Sequence, residues 1–99
     1  MNRVYITIWH EKYGKIQICH DDNQYIINSL RVMKALRKRG IGTELIKSAE
    51  DIIKKLGGYC SYLFVLEENV WLHDWYKRLG YADVDEVRDE GYFKMRKEI

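Results

Sequence analysis

The chain contains no proline. That excludes a proline-rich linker and leaves no residue that by itself would break a helix or a central strand. Long apolar runs are missing too. The longest, Tyr62 to Leu66, falls far short of the roughly 20 residues a membrane-crossing helix requires, so no membrane partner is expected. Cysteine is scarce, with Cys19 and Cys60 alone, and the first ten residues carry no charged segment followed by an apolar signal stretch. Reduced thiols and a cytoplasmic location are therefore expected. No charge of one sign dominates: 17 basic residues against 15 acidic ones leave a net +2. That balance is too even for a nucleic-acid partner, and any anion site has to be local.

What remains is a composition that folds. With 46% apolar and 32% charged residues the chain is ordinary globular material, and its 99 residues fit one domain, 1–99. Folding at this size buries roughly 65% of the surface an unfolded chain exposes, enough for one compact core.

Residues 3–9 alternate Val4, Ile6 and Ile8 with Tyr5, Thr7 and Trp9, the period of a strand with one buried face. Lys15 to His20 repeats that alternation after Gly14, and the polar cluster Asp21-Asp22-Asn23 turns the chain into a third strand from Tyr25 to Val32. Beyond Gly42, Leu45, Ile46, Ala49, Ile52, Ile53 and Leu56 share one helical face, Lys54 and Lys55 sit in the last turn, and Gly57-Gly58 follows as a left-handed cap. Residues 60–66 are apolar on both sides of the pleat, as suits a covered strand parallel to a neighbour. A second helix is expected from about Val70 to Leu79, capped by Asn69 and stopped by Gly80. Tyr81 to Val84 and Tyr92 to Lys97 then form a closing antiparallel pair around a polar turn. The fold class is α+β, a mixed, mostly antiparallel sheet with two main helices.

Chemistry concentrates between Leu30 and Thr43, where an apolar strand meets a basic glycine-containing turn and then a strong helix. Gly40 and Gly42 let the main chain come close to a ligand, so that N–H groups of the first helical turn can point at phosphate oxygens. Arg37, Lys38 and Arg39 add positive charge beside those donors, and a diphosphate fits such a turn. The plainer alternative is a tight strand-to-helix connection beside a solvated charge run. A further alternative is a nucleic-acid phosphate patch made by Lys34, Arg37, Lys38 and Arg39, against which the even charge balance weighs.

Ser29-Leu30-Arg31-Val32 followed by Arg37-Lys38-Arg39-Gly40-Ile41-Gly42-Thr43 resembles the acyl-CoA signature of the GNAT superfamily, a strand followed by R/Q-x-x-G-x-G/A. Asn69 and Trp75-Tyr76-Lys77-Arg78-Leu79-Gly80-Tyr81 are similar to that family's second signature, and the likeness spans about Tyr25 to Tyr81. The resemblance implies a GNAT-like acyl-CoA N-acyltransferase fold and an acetyl-CoA-dependent N-acetyltransferase acting by direct attack of a primary amine. By the same resemblance, Leu30, Arg31 and Val32 pair with the pantetheine arm and residues 37–43 hold the pyrophosphate. Asn69 contacts the pantetheine side, and Tyr76 serves as general acid toward the departing thiolate. Asn69 as a plain helix cap and Tyr76 as a core aromatic beside Trp75 and Leu79 are the bland counterparts.

Two departures from the family pattern matter. Many members carry a glutamate two positions ahead of the leucine matched by Leu30, where this chain has Asn28, which cannot take a proton. Replacement bases are His20, Asp22, Glu67, Glu68, His73 or Asp74, with His73 and Asp74 expected on exposed helix surface and Glu67 and Glu68 as charges in a first helical turn. The usual leading strand and helices also have no counterpart ahead of Val4. That implies an open acceptor site for a large amine such as a protein or peptide, or a pocket completed in a homodimer. A non-catalytic acyl-CoA-binding module is the alternative function. His10, His20, His73, Cys19 and Cys60 have no paired ligand spacing, so no metal is expected.

Overall fold

The structure, a computed structural model, describes residues 4–11, 14–21, 23–33, 40–84 and 91–99. Three strands come first: β1 (Val4–His10), β2 (Gly14–Asp21) and β3 (Gln24–Val32), each antiparallel to the next. Helix α1 (Ile41–Lys55), strand β4 (Cys60–Leu66), helix α2 (Val70–Arg78), the short β5 (Ala82–Asp83) and β6 (Tyr92–Glu98) complete the chain. The six strands lie in the order β1-β2-β3-β4-β6-β5. Only β3 and β4 run parallel, and the helix between them supplies the crossover that a parallel pair needs. The expected α+β architecture is the one observed, with β1 reaching one residue further than expected, to His10.

Helix α1 forms where its apolar residues recur at helical spacing. Ile41, Leu45, Ile46, Ala49 and Ile53 are buried against Ile16, Ile18, Ile27, Leu63, Val65 and Met95 of the sheet. Its end is a Schellman arrangement. The Gly58 N–H donates to the Ile53 carbonyl at 2.9 Å and the Gly57 N–H to the Lys54 carbonyl at 3.0 Å, with Gly57 left-handed at φ 92°. A Cβ on Gly58 would stand 2.5 Å from Ile53 Cγ2 and 2.9 Å from Tyr25 Cδ2, so packing rather than conformation selects glycine there.

Both helices lie on one face of the sheet. Trp75 of α2 approaches Gly42 of α1, and His73 stacks on Phe93, the strand neighbour of buried Val65. Tyr81, expected to open a strand, instead turns inward ahead of β5. Its hydroxyl donates to Glu50 Oε2 at 2.9 Å and shares a second hydrogen bond with Ser61 Oγ at 2.8 Å, while Lys97 Nζ reaches Glu50 at 3.2 Å. This network ties α1, β4 and β6 together beneath the sheet, and burial first, then the Glu50 charge, raises the Tyr81 pKa despite the Ser61 hydrogen bond. The opposite face carries Tyr5, Thr7, Trp9, Lys15, Gln17, Cys19, Ile26, Asn28, Tyr62, Phe64, Lys94 and Arg96 in cross-strand register, and among the described residues no helix covers it. No helix among the described residues is long and apolar enough to cross a membrane.

Candidate functional site

The central parallel pair opens into a fork. β3 and β4 pair only through Tyr25 with Ser61, Ile26 with Tyr62 and Ile27 with Leu63, although β3 continues to Val32 and β4 to Leu66. The cause lies at Ser29, whose φ of 54° is left-handed. On the β2 side the register runs from Gln17 opposite Asn28 to Lys15 opposite Arg31, so Ser29 and Leu30 together face Ile16. That is a β-bulge, which bends its strand and increases the local twist. A left-handed non-glycine residue costs on the order of 1–3 kcal/mol and tends to persist at functional sites. Nothing in the one-dimensional pattern announces Ser29 as left-handed. The cue that was available is the polar pair Asn28-Ser29 interrupting an apolar strand.

The amino end of α1 lies beyond the tip of β3. Gly40 is its cap residue at φ 80°, and among the described residues no side chain caps the first turn. The N–H groups at that end are therefore free of competition from a side-chain acceptor. A Cβ at Gly40 would meet nothing within 4 Å, so space remains beside it, whereas one at Gly42 would touch Trp75 at 3.5 Å, an ordinary contact. Conformation demands glycine at 40; packing does not demand it at 42. Arg37, Lys38 and Arg39 lie outside the described residues, as do Lys34 and Asp22. Ile41 is buried and Thr43 half-buried in the first turn, and Leu30 and Val32 pack on the core from the strand side. Arg31 is exposed on the helix-free face, opposite Lys15. These uncapped donors, the open space at Gly40 and the forked strand suit an elongated phosphate-bearing ligand with amides along its length.

Tyr76 sits on the inner face of α2 with 6% of its surface exposed. Its ring packs 5.0 Å from Trp75 and 5.8 Å, edge-on, from Tyr81. Burial pushes its pKa up to about 12, so the phenol stays protonated and able to donate. Among the described residues no hydrogen bond engages its hydroxyl. Asn69 caps α2, its Oδ1 accepting the Leu72 N–H at 3.2 Å.

The alternative bases separate clearly. His73, expected on exposed surface, is mostly buried: it stacks on Phe93 at 4.7 Å and its Nε2 pairs with Asp83 Oδ1 at 2.7 Å, because its position on α2 faces β6. Asp74 is exposed, as expected. Glu67 and Glu68 precede the cap rather than entering the first turn of α2, which holds no acidic residue. With Leu66 and Gly91 they line an open cleft of about 500 Å³ at the end of β4. His20 stacks on Tyr25 at 4.2 Å, at the paired end of β3 rather than at the fork. Asn28 is the first residue of β3 past its last partner on β4, and its Oδ1 is buried with no hydrogen-bond partner among the described residues. An orphaned buried acceptor of this kind costs about 1–3 kcal/mol. A second pair escaped the sequence reading: His10 Nε2 meets Glu44 Oε2 at 2.6 Å and staples β1 to the first turn of α1. Among the described residues no three His, Cys, Asp or Glu side chains group as metal ligands do.

Comparison with known proteins bears on this arrangement directly. The profile of the Acetyltransferase (GNAT) family matches residues 5–81. An uncharacterised N-acetyltransferase of Methanocaldococcus jannaschii is 38% identical over 73 residues, 74% of this chain and 31% of that protein. The PaiA N-acetyltransferase of Thermoplasma acidophilum, solved in complex with coenzyme A, superposes with a TM-score of 0.82 at 23% identity, covering 100% of this chain and 62% of that one. A candidate streptothricin acetyltransferase of Bacillus anthracis, in complex with acetyl coenzyme A, superposes with a TM-score of 0.79 at 20% identity, over 100% of this chain and 64% of that one. The chain thus spans less than two thirds of each of these relatives. The superpositions establish the fold, and the profile, which runs through the forked strand, α1 and α2 as far as Tyr81, establishes that the chain belongs to the GNAT acetyltransferase family.

Proposed function

We propose that this chain binds acetyl-CoA along the fork and transfers the acetyl group to a primary amine by direct attack. The observation that carries this reading is the parting of β3 from β4 after Ile27 and Leu63, beside the uncapped start of α1. Extended main chain at Leu30, Arg31 and Val32 can pair with an amide-bearing arm as an added strand would. The turn from Arg37 to Thr43 binds the pyrophosphate, with Gly40 leaving room and the helix dipole favouring the negative charge. Asn69, whose side chain caps the start of α2, contacts the pantetheine side in this reading. Tyr76 gives its proton to the leaving sulfur, a role its persistently protonated phenol suits. Acetyl-CoA is the cosubstrate, and crystal complexes of GNAT-fold relatives with coenzyme A and acetyl coenzyme A support that choice.

Isothermal titration with acetyl-CoA, followed by a thiol-release assay over a panel of amines, tests the reading. Saturable binding with amine-dependent release of CoA is expected. No affinity at millimolar acetyl-CoA would overturn it. A second reading, a module that binds acyl-CoA without transferring the acyl group, draws on Asn28 standing where family members place a glutamate. Binding without thiol release across the panel would favour that module.

A further inference from the structure

Asn28 lies at the crotch of the fork, directly across from Gln17, whose Nε2 donates to Thr7 Oγ1 at 3.4 Å. Thr7, Gln17 and Asn28 make a polar row that crosses the helix-free face and ends where the strands part. Its last member holds a buried acceptor, Oδ1, that finds no donor among the described residues. A donor arriving from outside the chain is one way such an orphan is satisfied in native structures. A half-turn of the carboxamide about its broad terminal torsion also lets the acceptor follow a ligand entering the fork.

The charges around that point have one dominant sign. On the same face, β2 presents Lys15, 5.4 Å over the Trp9 ring, and β3 presents Arg31, whereas Lys94 of β6 is drawn away to the paired end, where its ammonium donates to Gln24 Oε1 at 2.9 Å. Arg96 also lies toward that end, its Nη2 3.2 Å from Cys60 Sγ and from Glu98 Oε1. The carboxylates that share this face, Asp21 and Glu98, sit at its paired end, opposite Gln24 and Cys60. Glu67 and Glu68 lie past the end of β4, on the separate cleft with Leu66 and Gly91. An ammonium arriving at Asn28 would meet lysine and arginine charge and an amide that cannot accept its proton.

We infer that the acceptor is an amine that arrives uncharged, an α-amino group rather than a lysine side chain, and that Asn28 Oδ1 holds it by accepting one of its N–H bonds. The inference rests on the acetyl-transfer reading above. The nitrogen lone pair forms the C–N bond to the thioester carbonyl carbon, and the C–S bond breaks with its electron pair leaving on sulfur. Tyr76 supplies the proton that makes the free thiol. The surplus N–H proton returns to Tyr76 through water, so one amine and one acetyl-CoA give one acetamide and one CoA. At pH 7.5 an α-amino group with a pKa near 7.8 is about one-third neutral and a lysine side chain near 10.4 about one part in 800, a difference of roughly 270-fold in the reactive form.

Two short peptides test this, one with a free amino terminus and no lysine, the other with a blocked terminus and a single lysine. Thiol release is followed from pH 6.5 to 9.5 for the wild type, Asn28→Ala, Asn28→Asp and Asn28→Glu, and acetyl-CoA affinity is measured by titration for each. The wild type is expected to favour the α-amine by about 100-fold in kcat/KM, with an acid limb at the pKa of that amine. Asn28→Ala should raise the KM of the amine at least tenfold while acetyl-CoA affinity stays within about twofold. Asn28→Glu should raise turnover of the lysine peptide. Should Asn28→Ala fail to fold, the isosteric Asn28→Asp serves in its place, its acid limb moving below that of the amine. Equal or faster reaction with lysine, or an acid limb that ignores the identity of the amine, would overturn the inference and point to Glu67 or Glu68 as base. Failure of the wild type to bind acetyl-CoA would overturn the underlying reading, and this one with it.

Discussion

Tyr76 and Tyr81 are buried aromatics five residues apart with opposite uses for their hydroxyls. The Tyr76 oxygen is uncommitted among the described residues, and burial pushes its pKa up to about 12. Burial disfavours the tyrosinate, so the proton-bearing form persists below about 12 and is lost only as pH rises through that value. A kcat profile measured to pH 10 should therefore show no falling limb from this residue. Tyr76→Phe should lower kcat by about 100-fold with acetyl-CoA affinity nearly unchanged, as single-turnover kinetics beside titration would show. Tyr81 instead spends its hydroxyl on Glu50 and Ser61. Tyr81→Phe removes both bonds and should lower stability by about 1–3 kcal/mol in denaturant unfolding, leaving the fold intact because Lys97 still reaches Glu50. Tyr76 stood out in the sequence as a candidate because its neighbours Trp75, Leu79 and Gly80 form a motif. The bonded Tyr81 was not, since a tyrosine in that motif position reads as one more aromatic.

At the scale of elements, the ends of helices decide what the sequence could reveal. The carboxyl end of α1 was written plainly in Lys54, Lys55, Gly57 and Gly58, and the structure closes it with both Schellman bonds. Gly58→Ala would drive a methyl carbon into Ile53 and Tyr25 and should destabilise the protein by about 1–3 kcal/mol, a fall in melting temperature of roughly 4–8 °C for each kcal/mol. Asn69 reads equally well as a cap and as a ligand contact, and its side chain does bond the Leu72 N–H. Asn69→Ala should cost about 1 kcal/mol by thermal unfolding through that lost bond. His73 misled because helical periodicity says which residues share a side of α2, not which strand that side meets. Phe93 and Asp83, which enclose it, come from later in the chain. The fork was invisible for a related reason. Both strands were legible, but where two strands stop pairing depends on the backbone angle of one serine.

Across the whole molecule, one sheet divides its two faces between different tasks. The side bearing α1 and α2 holds the apolar core, and the other presents aromatic rings, cations and a polar row to whatever approaches. A ligand filling the fork would complete the sheet in the place of a missing strand, so binding and folding should be linked. Acetyl-CoA at a hundred times its dissociation constant should add about 2.7 kcal/mol and raise the melting temperature by about 11–22 °C, readable by scanning calorimetry. Hydrogen exchange at Leu30 to Val32 should slow in the same experiment.

The bulge at Ser29 also works as a phase shifter. Ahead of it Ile27 points toward the helices while Ile26 and Asn28 point away; behind it Leu30 and Val32 point toward the helices, so the parity of the strand has inverted. Were Ser29 kept but given ordinary extended angles, the alternation would run on without a bulge and send Leu30 and Val32 to the helix-free face. It would also bring Arg31 over Leu45 and Ile41, the side chains that crowd Gly14. The strand can thus lay its first half on the core, offer Asn28 to the open side, and still deliver an apolar end to α1 because the chain counts one residue more than its partner does.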